Sequence, residues 1–388
     1  MDNVWPILLV IGFLSYCSCV IHHDFKAAYV AEAEELEVID IEYQFGFLFV
    51  DVKVNQKSYR FIIDSGSPTI LDDEVVRSCA LRLGRKESFV DVGGREGEQN
   101  IVIIDSLQFG GLKLKDIRAA EAELGIFDCL QIDGILGANA MRFFDWVIDY
   151  QGQQVSVYHK EIPKEDLSGF EGPFELQFSE QLSPYLMGGQ VSIEHARVDS
   201  VLVDLGSGGS LNLQRRYFGT IADSEDLKWY GGESSIAAFG PRLDTVYWAK
   251  STNVQIGDYI VPEAYVMVDR SYWPSIGNRF LASYNVVLSW HRQQMYLLPI
   301  DTTVIPGNRI IGLKHRGDKI VVRAHSGPGP LSAMGISYGD EVLEIDGIES
   351  NRITKEQLCE IRLLRRNVSL LVKLSDGKVV DVPEVGLR

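Results

Sequence analysis

Two short runs carry residue types suited to acid–base chemistry. Asp64-Ser65-Gly66-Ser67 and Asp204-Leu205-Gly206-Ser207 each place a carboxylate, a glycine and a hydroxyl within four residues, 140 positions apart. Each Asp follows an apolar run, Phe61-Ile62-Ile63 or Val201-Leu202-Val203. Alone, such a run reads as a turn in which Asp caps, Gly takes positive φ and Ser bonds locally. The pairing is what suggests chemistry. Two acids about 3 Å apart cannot both ionise, so they share one proton and titrate as a pair. The ionised member can take a proton from water while the protonated member hydrogen-bonds a carbonyl, a scheme that needs no metal and no cofactor. Gly66 and Gly206 would let backbone approach the carboxylates, and Ser67 and Ser207 would donate to their outer oxygens.

The elements that must position these acids repeat with them. Seventy-three residues past each Asp stands Ile135-Leu136-Gly137 or Ser275-Ile276-Gly277, and Val147 to Gln154 aligns with Val287 to Gln294, all at the same offset. Between these blocks the register drifts: Gly93-Gly94 and Gly231-Gly232 fall 29 and 27 residues after their Asp. Insertions belong in loops, so two copies of one lobe are expected. Homologous lobes packed about a pseudo-two-fold axis bring equivalent residues together, which would set Asp64 beside Asp204. Period-2 alternation, as in Phe47 to Val54, marks short strands from Glu37 to Pro299. The fold class expected is mostly β: two duplicated β-barrel lobes over 37–160 and 161–300. Helical pattern is brief, as over Leu71 to Leu83 with Asp72 or Asp73 as N-cap. The Gly93-Gly94 and Gly231-Gly232 hairpins are expected to act as flaps that close over an extended ligand.

The remainder of the chain bounds its setting. Its 388 residues hold 37 Lys plus Arg against 54 Asp plus Glu, a net charge of −17, so nucleic acid is an unfavourable partner. The apolar run Trp5 to Tyr16 is too short to span a bilayer but suits a signal peptide over 1–19. Small Ser18 before Cys19 makes Cys19 a candidate lipidation site, the one expected membrane attachment of an exported, periplasmic or envelope-anchored protein. Cys79 and Cys129 are expected as buried free thiols, with a Cys79–Cys129 pair as the alternative. After Pro306 the texture turns α+β over 305–388. Asp346-Gly347 is a hairpin signal and Thr354-x-x-Gln357 a capping box that opens a helix through Arg362.

These motifs resemble known families. Ile62 to Ser67 with Asp133 to Gly137, and Leu202 to Ser207 with Ser275 to Asn278, resemble the two halves of an aspartic peptidase of the retropepsin/pepsin superfamily. The segments 134–158 and 275–299 are similar to the lobe-ending segments of its single-chain retropepsin-like branch, and the resemblance covers roughly residues 40–299. It implies that Asp64 and Asp204 are the catalytic pair, Ser67 and Ser207 their supporting donors, and a protein or peptide the substrate. The family's second triplet residue carries a hydroxyl that braces the opposite loop. Ser65 fits; Leu205 does not, which keeps a non-cleaving peptide-binding or scaffold protein as the alternative. Residues 327–347 resemble a PDZ domain of the bacterial exported type. That resemblance implies capture of a peptide C-terminus in a groove lined by Gly312, Leu313, Leu358 and Ile361.

Overall fold

The computed structural model describes residues 25, 28–127, 129–179, 183–237, 239–300, 311–327, 335–363 and 370–382. The leader with Cys19, and residues 328–334 of the segment that resembles a PDZ domain, lie outside them. The fold is mostly β, and among the described residues the strands form sheets of eleven, six and sixteen.

The first sheet holds the N-terminal lobe. Strand Lys57–Asp64 pairs antiparallel with Phe47–Val54 and parallel with Gly134–Gly137, in a register that sets Asp64 opposite Gly137. Parallel pairing buries both faces, which is why Phe61, Ile62 and Ile63 read as a continuous apolar run and are all buried. The C-terminal lobe repeats this pattern. Ala196–Val203 runs parallel to Ser275–Ile276, with Leu202 opposite Ser275 and Val203 opposite Ile276. A second parallel pair recurs as well: Ile70–Asp72 with Ile117–Ala122, and Leu211–Gln214 with Ala264–Asp269.

The six-stranded sheet joins the lobes. Asp145–Asp149 lies antiparallel to Tyr284–Ser289, and Val147 faces Val287, its partner in the sequence repeat. Trp146 stacks on Phe109 and Phe144 meets Phe109 edge-on, all three fully buried rings that each contribute on the order of 2–3 kcal/mol by burial. Asp145 is the polar exception. Its side chain is fully buried, accepting from the Ile162 N–H at 3.0 Å and bonding His291 Nδ1 at 2.9 Å. Burial alone would raise the Asp145 pKa, but the bonds from His291 and Ile162 outweigh it and leave it lowered. The bond to Asp145 raises His291. A lowered carboxyl stabilises the fold above its ordinary 3.8 and loses that as pH falls; a raised imidazole stabilises below its ordinary 6.5 and loses that as pH rises. The pair therefore contributes most between those limits. Asp145→Asn should cost about 2 kcal/mol near pH 5, with less cost on either side, in urea titrations across pH.

Two local expectations are corrected. The helix expected over Leu71 to Leu83 spans only Asp73–Ser78, capped by Asp72 accepting from the Glu74 N–H. Ala80 takes φ 48, which ends the helix, and the chain continues as strand Arg82–Val90. Of the two thiols expected to be free and buried, Cys79 is free but half-buried, whereas Cys129 is bonded to Cys359, and the alternative Cys79–Cys129 pair does not form.

The C-terminal module has its own core, including Ile311, Leu313, Ile320, Val322, Ile345 and Leu358. Its helix Lys355–Leu363 opens on the reciprocal capping box, Thr354 N–H to Gln357 Oε1 and Gln357 N–H to Thr354 Oγ1. Asp346 and Gly347 take φ 54 and 78 between two antiparallel strands, the primed turn that hairpins favour. The module is fastened at two points. Cys359, on its helix, is bonded to Cys129 of the N-terminal lobe. Its strand Lys319–Gly327 pairs with Lys228–Ala237 of the C-terminal lobe, Trp229 to Gly232 against Gly327 to Ala324. Buried Glu233 keys that joint, paired with Lys314 and accepting from Tyr338 Oη at 3.1 Å.

Candidate active site

Each acid sits where a buried strand ends. Asp64 is the last residue of Lys57–Asp64, and Asp204 follows Ala196–Val203, its N–H donating to the Ile276 carbonyl at 2.9 Å. Both loops then curl back on their own carboxylate. The Gly66 N–H donates to Asp64 Oδ1 at 2.7 Å and the Gly206 N–H to Asp204 Oδ1 at 3.0 Å.

The loops are also interlocked across the lobes. A Cβ on Gly66 would lie 2.6 Å from Asp204 Oδ1, and one on Gly206 would lie 2.2 Å from Asp64 Cγ. Each glycine is thus the floor beneath the opposite carboxyl, and no other residue fits. The two carboxyl groups, each set against the opposite loop's glycine, lie close enough to influence each other's charge. Asp64 is buried and Asp204 partly exposed. Burial is the largest cause that raises both, Asp64 above 3.8 and Asp204 well above it, the latter reinforced by the charge of Asp64. The pair holds one proton over a broad range.

The support is unequal. Ser67 Oγ donates to Asp64 Oδ2 at 2.8 Å, as expected. Ser207 departs from its expected role, because its Oγ accepts from the Gly209 N–H and from Asn212 Nδ2, both at 3.2 Å. A hydroxyl donor favours the charged form of Asp64, so the shared proton belongs on Asp204. Ser65 is the cross-lobe brace: its Oγ donates to the Val203 carbonyl at 2.7 Å and accepts from the Leu205 N–H at 3.1 Å. Leu205 is fully buried among apolar residues and offers no return hydroxyl.

Of the expected flap glycines, Gly93 and Gly94 lie in the turn of the hairpin Arg82–Val90 with Glu96–Ile104. Gly231 and Gly232 do not: they lie within strand Lys228–Ala237, opposite Thr245 and Asp244 and beneath the docked module strand. The turn of that hairpin falls instead between Ala237 and Gly240. The tips of the two hairpins meet. Arg95 donates to the Gly240 carbonyl at 2.6 Å and the Pro241 carbonyl at 3.3 Å, while pairing with buried Asp91 at 2.8 Å. The Tyr272 N–H donates to the Val92 carbonyl at 2.8 Å. Arg95→Ala should loosen this closure. The expected result is faster amide exchange over 91–95.

The expected peptide groove of the module fares differently. Leu313 and Leu358, each 2% exposed, are spent on its core, Gly312 is buried, and Ile361 packs half-buried on the same cluster. Sequence reasoning passed over Asn278 and Tyr150. Asn278 is fully buried directly after Gly277, and the signal available was an amide where the first copy of the repeat has Ala138.

Residues 50–140, which carry Asp64 and its supporting strands, match the family described as aspartyl protease. Among solved structures, the chain is similar to a retropepsin-like aspartic protease from Rickettsia conorii, with 17% identity over 34% of this chain and 92% of that one, at a TM-score of 0.23. No curated protein matches.

Proposed function

We propose that the chain is an exported aspartic-type endopeptidase built from two duplicated lobes, 37–160 and 161–300, with a peptide-binding module of PDZ type over 305–388. The observation that carries the reading is the Asp64–Asp204 pair, each carboxyl seated on the opposite loop's glycine. The aspartyl protease match over 50–140 supports it, and the facing of Val147 with Val287 supports the duplication. The Cys129–Cys359 bond favours an oxidising compartment.

In this mechanism ionised Asp64 takes a proton from water, and the water oxygen attacks the peptide carbonyl carbon. Protonated Asp204 hydrogen-bonds the carbonyl oxygen and stabilises the negative charge that develops there. The proton then passes to the leaving amine as the C–N bond breaks. The joined hairpin tips would hold an extended substrate over the pair and keep bulk water out. The module would add a peptide C-terminus along the strand edge of Ile311–Arg316, which no strand occupies among the described residues.

A second reading, a peptide-binding scaffold that does not cut, is favoured by Leu205 alone. Cleavage of an unfolded protein between pH 3 and 7 separates the two. The enzyme requires cleavage by the wild type that is lost in Asp64→Asn and Asp204→Asn. Intact substrate at every pH supports the scaffold.

A further inference from the structure

Leu205 offers no hydroxyl, so the loop that carries Asp64 lacks the crossing side-chain brace that Ser65 gives the Asp204 loop. The Leu205 N–H is met by Ser65 Oγ at 3.1 Å, but the Leu205 carbonyl needs a donor of its own. That donor is Asn278, whose Nδ2 reaches the Leu205 carbonyl at 2.6 Å. The same amide donates to the Gly46 carbonyl of the N-terminal lobe at 2.9 Å, and its Oδ1 accepts from Tyr150 Oη at 2.8 Å. Two carbonyl oxygens on one side and a phenol on the other fix which end of the amide faces which. The Asn278 N–H donates to the Ser207 carbonyl at 2.8 Å, which ties the side chain to the loop that carries Asp204. Asn278 is fully buried, and Tyr150 is nearly so.

The repeat makes the exchange visible. Position 138, equivalent to 278, is Ala, and position 65, equivalent to 205, is Ser. The N-terminal lobe carries its polar brace in the triplet, whereas the C-terminal lobe carries it after Gly277. Ser65 crosses to the Asp204 loop, and Asn278 crosses back to Gly46 and Tyr150. Both directions of bracing survive.

We propose that Asn278 is a positioning residue that supplies, by different bonds, the return connection to the N-terminal lobe that Leu205 cannot make, holding the Asp204 loop through Gly46 and Tyr150. This deepens the proposed function and rests on it, because the loop being held is the one that carries the second acid. A buried network of this kind fixes a loop only when every member is satisfied. Asn278→Asp keeps the volume but turns a donor into an acceptor facing two carbonyls. Tyr150→Phe frees the amide to turn.

The test compares wild type, Asn278→Asp, Asn278→Ala, Tyr150→Phe and the double variant Asn278→Ala/Leu205→Thr. Three readings are taken for each: kcat, KM and the pH dependence of urea unfolding. Asn278→Asp and Asn278→Ala should lower kcat ten- to a hundred-fold with KM within about threefold, and Tyr150→Phe should fall between them and wild type. The same variants should move the pH at which stability changes, because the paired acids sit in an altered loop. Restoring a hydroxyl at 205 in the Asn278→Ala background should recover at least half of the lost kcat on the logarithmic scale. Unchanged kcat and an unchanged pH profile in Asn278→Asp would overturn the proposal, as would no recovery in a folded double variant. If the wild type itself cuts nothing, the peptidase reading fails, and the pH-linked unfolding still decides the role of Asn278.

Discussion

Asp64→Asn and Asp204→Asn should each lower kcat by about 10³-fold or more while leaving the protein folded. An amide at either position cannot share the proton, so neither water activation nor carbonyl polarisation survives in one arrangement. Stability should move the other way. Burial raises both carboxyls, and a raised carboxyl stabilises the fold fully below its ordinary 3.8, a contribution lost as pH rises through the raised value. The pair should therefore lower the stability of the wild type as pH rises above 3.8. Asp204→Asn, with the more strongly raised group removed, should flatten that slope and be the more stable protein at pH 7. Urea unfolding of wild type and variant at half-unit pH steps measures it. A wild-type slope that the substitution leaves intact would mean that the two acids do not titrate as a pair.

Breaking the Cys129–Cys359 bond should be the largest stability change available outside the core. The bond closes a separation of 230 residues, and the chain-entropy account assigns such a loop about 5 kcal/mol, with measured values commonly nearer 2–4. Cys359→Ser should lower the urea midpoint accordingly, and a reductant should do the same to the wild type but not to the variant. The module would then hang from one joint, the strand pairing at Trp229 to Gly232 with its Glu233 key. Amide exchange over 311–327 should quicken, and more so with Glu233→Ala added, because Lys314 then loses its partner. An unchanged midpoint under reducing conditions would show that the module does not depend on this bridge.

The paired acids were legible because local pattern and repetition carry them. An apolar run before each Asp, a glycine two residues after it and an apolar-Gly unit at equal distance all come from short stretches, and their shared offset implied an axis where equivalents meet. Other features misled. Gly231-Gly232 looked like a hairpin tip, yet strand pairing continues through both and the turn falls past Ala237. Ser207 carries the same residue type as Ser67, but Asn212 and Gly209 occupy its oxygen.

By itself the amino-acid order determined the mostly β character, the placement of Asp64 and Asp204 at strand ends, the Asp72 cap and the Thr354 capping box. Each of these depends on neighbours a few residues away, or on a repeat that can be counted. Only the tertiary structure decided that Cys129 meets Cys359, that the module strand joins Lys228–Ala237, and that the Asn278 amide meets the Leu205 carbonyl. Those contacts link residues from 73 to 230 positions apart. Which distant edge, thiol or carbonyl lies within reach is set by how whole sheets pack, and no local pattern encodes it.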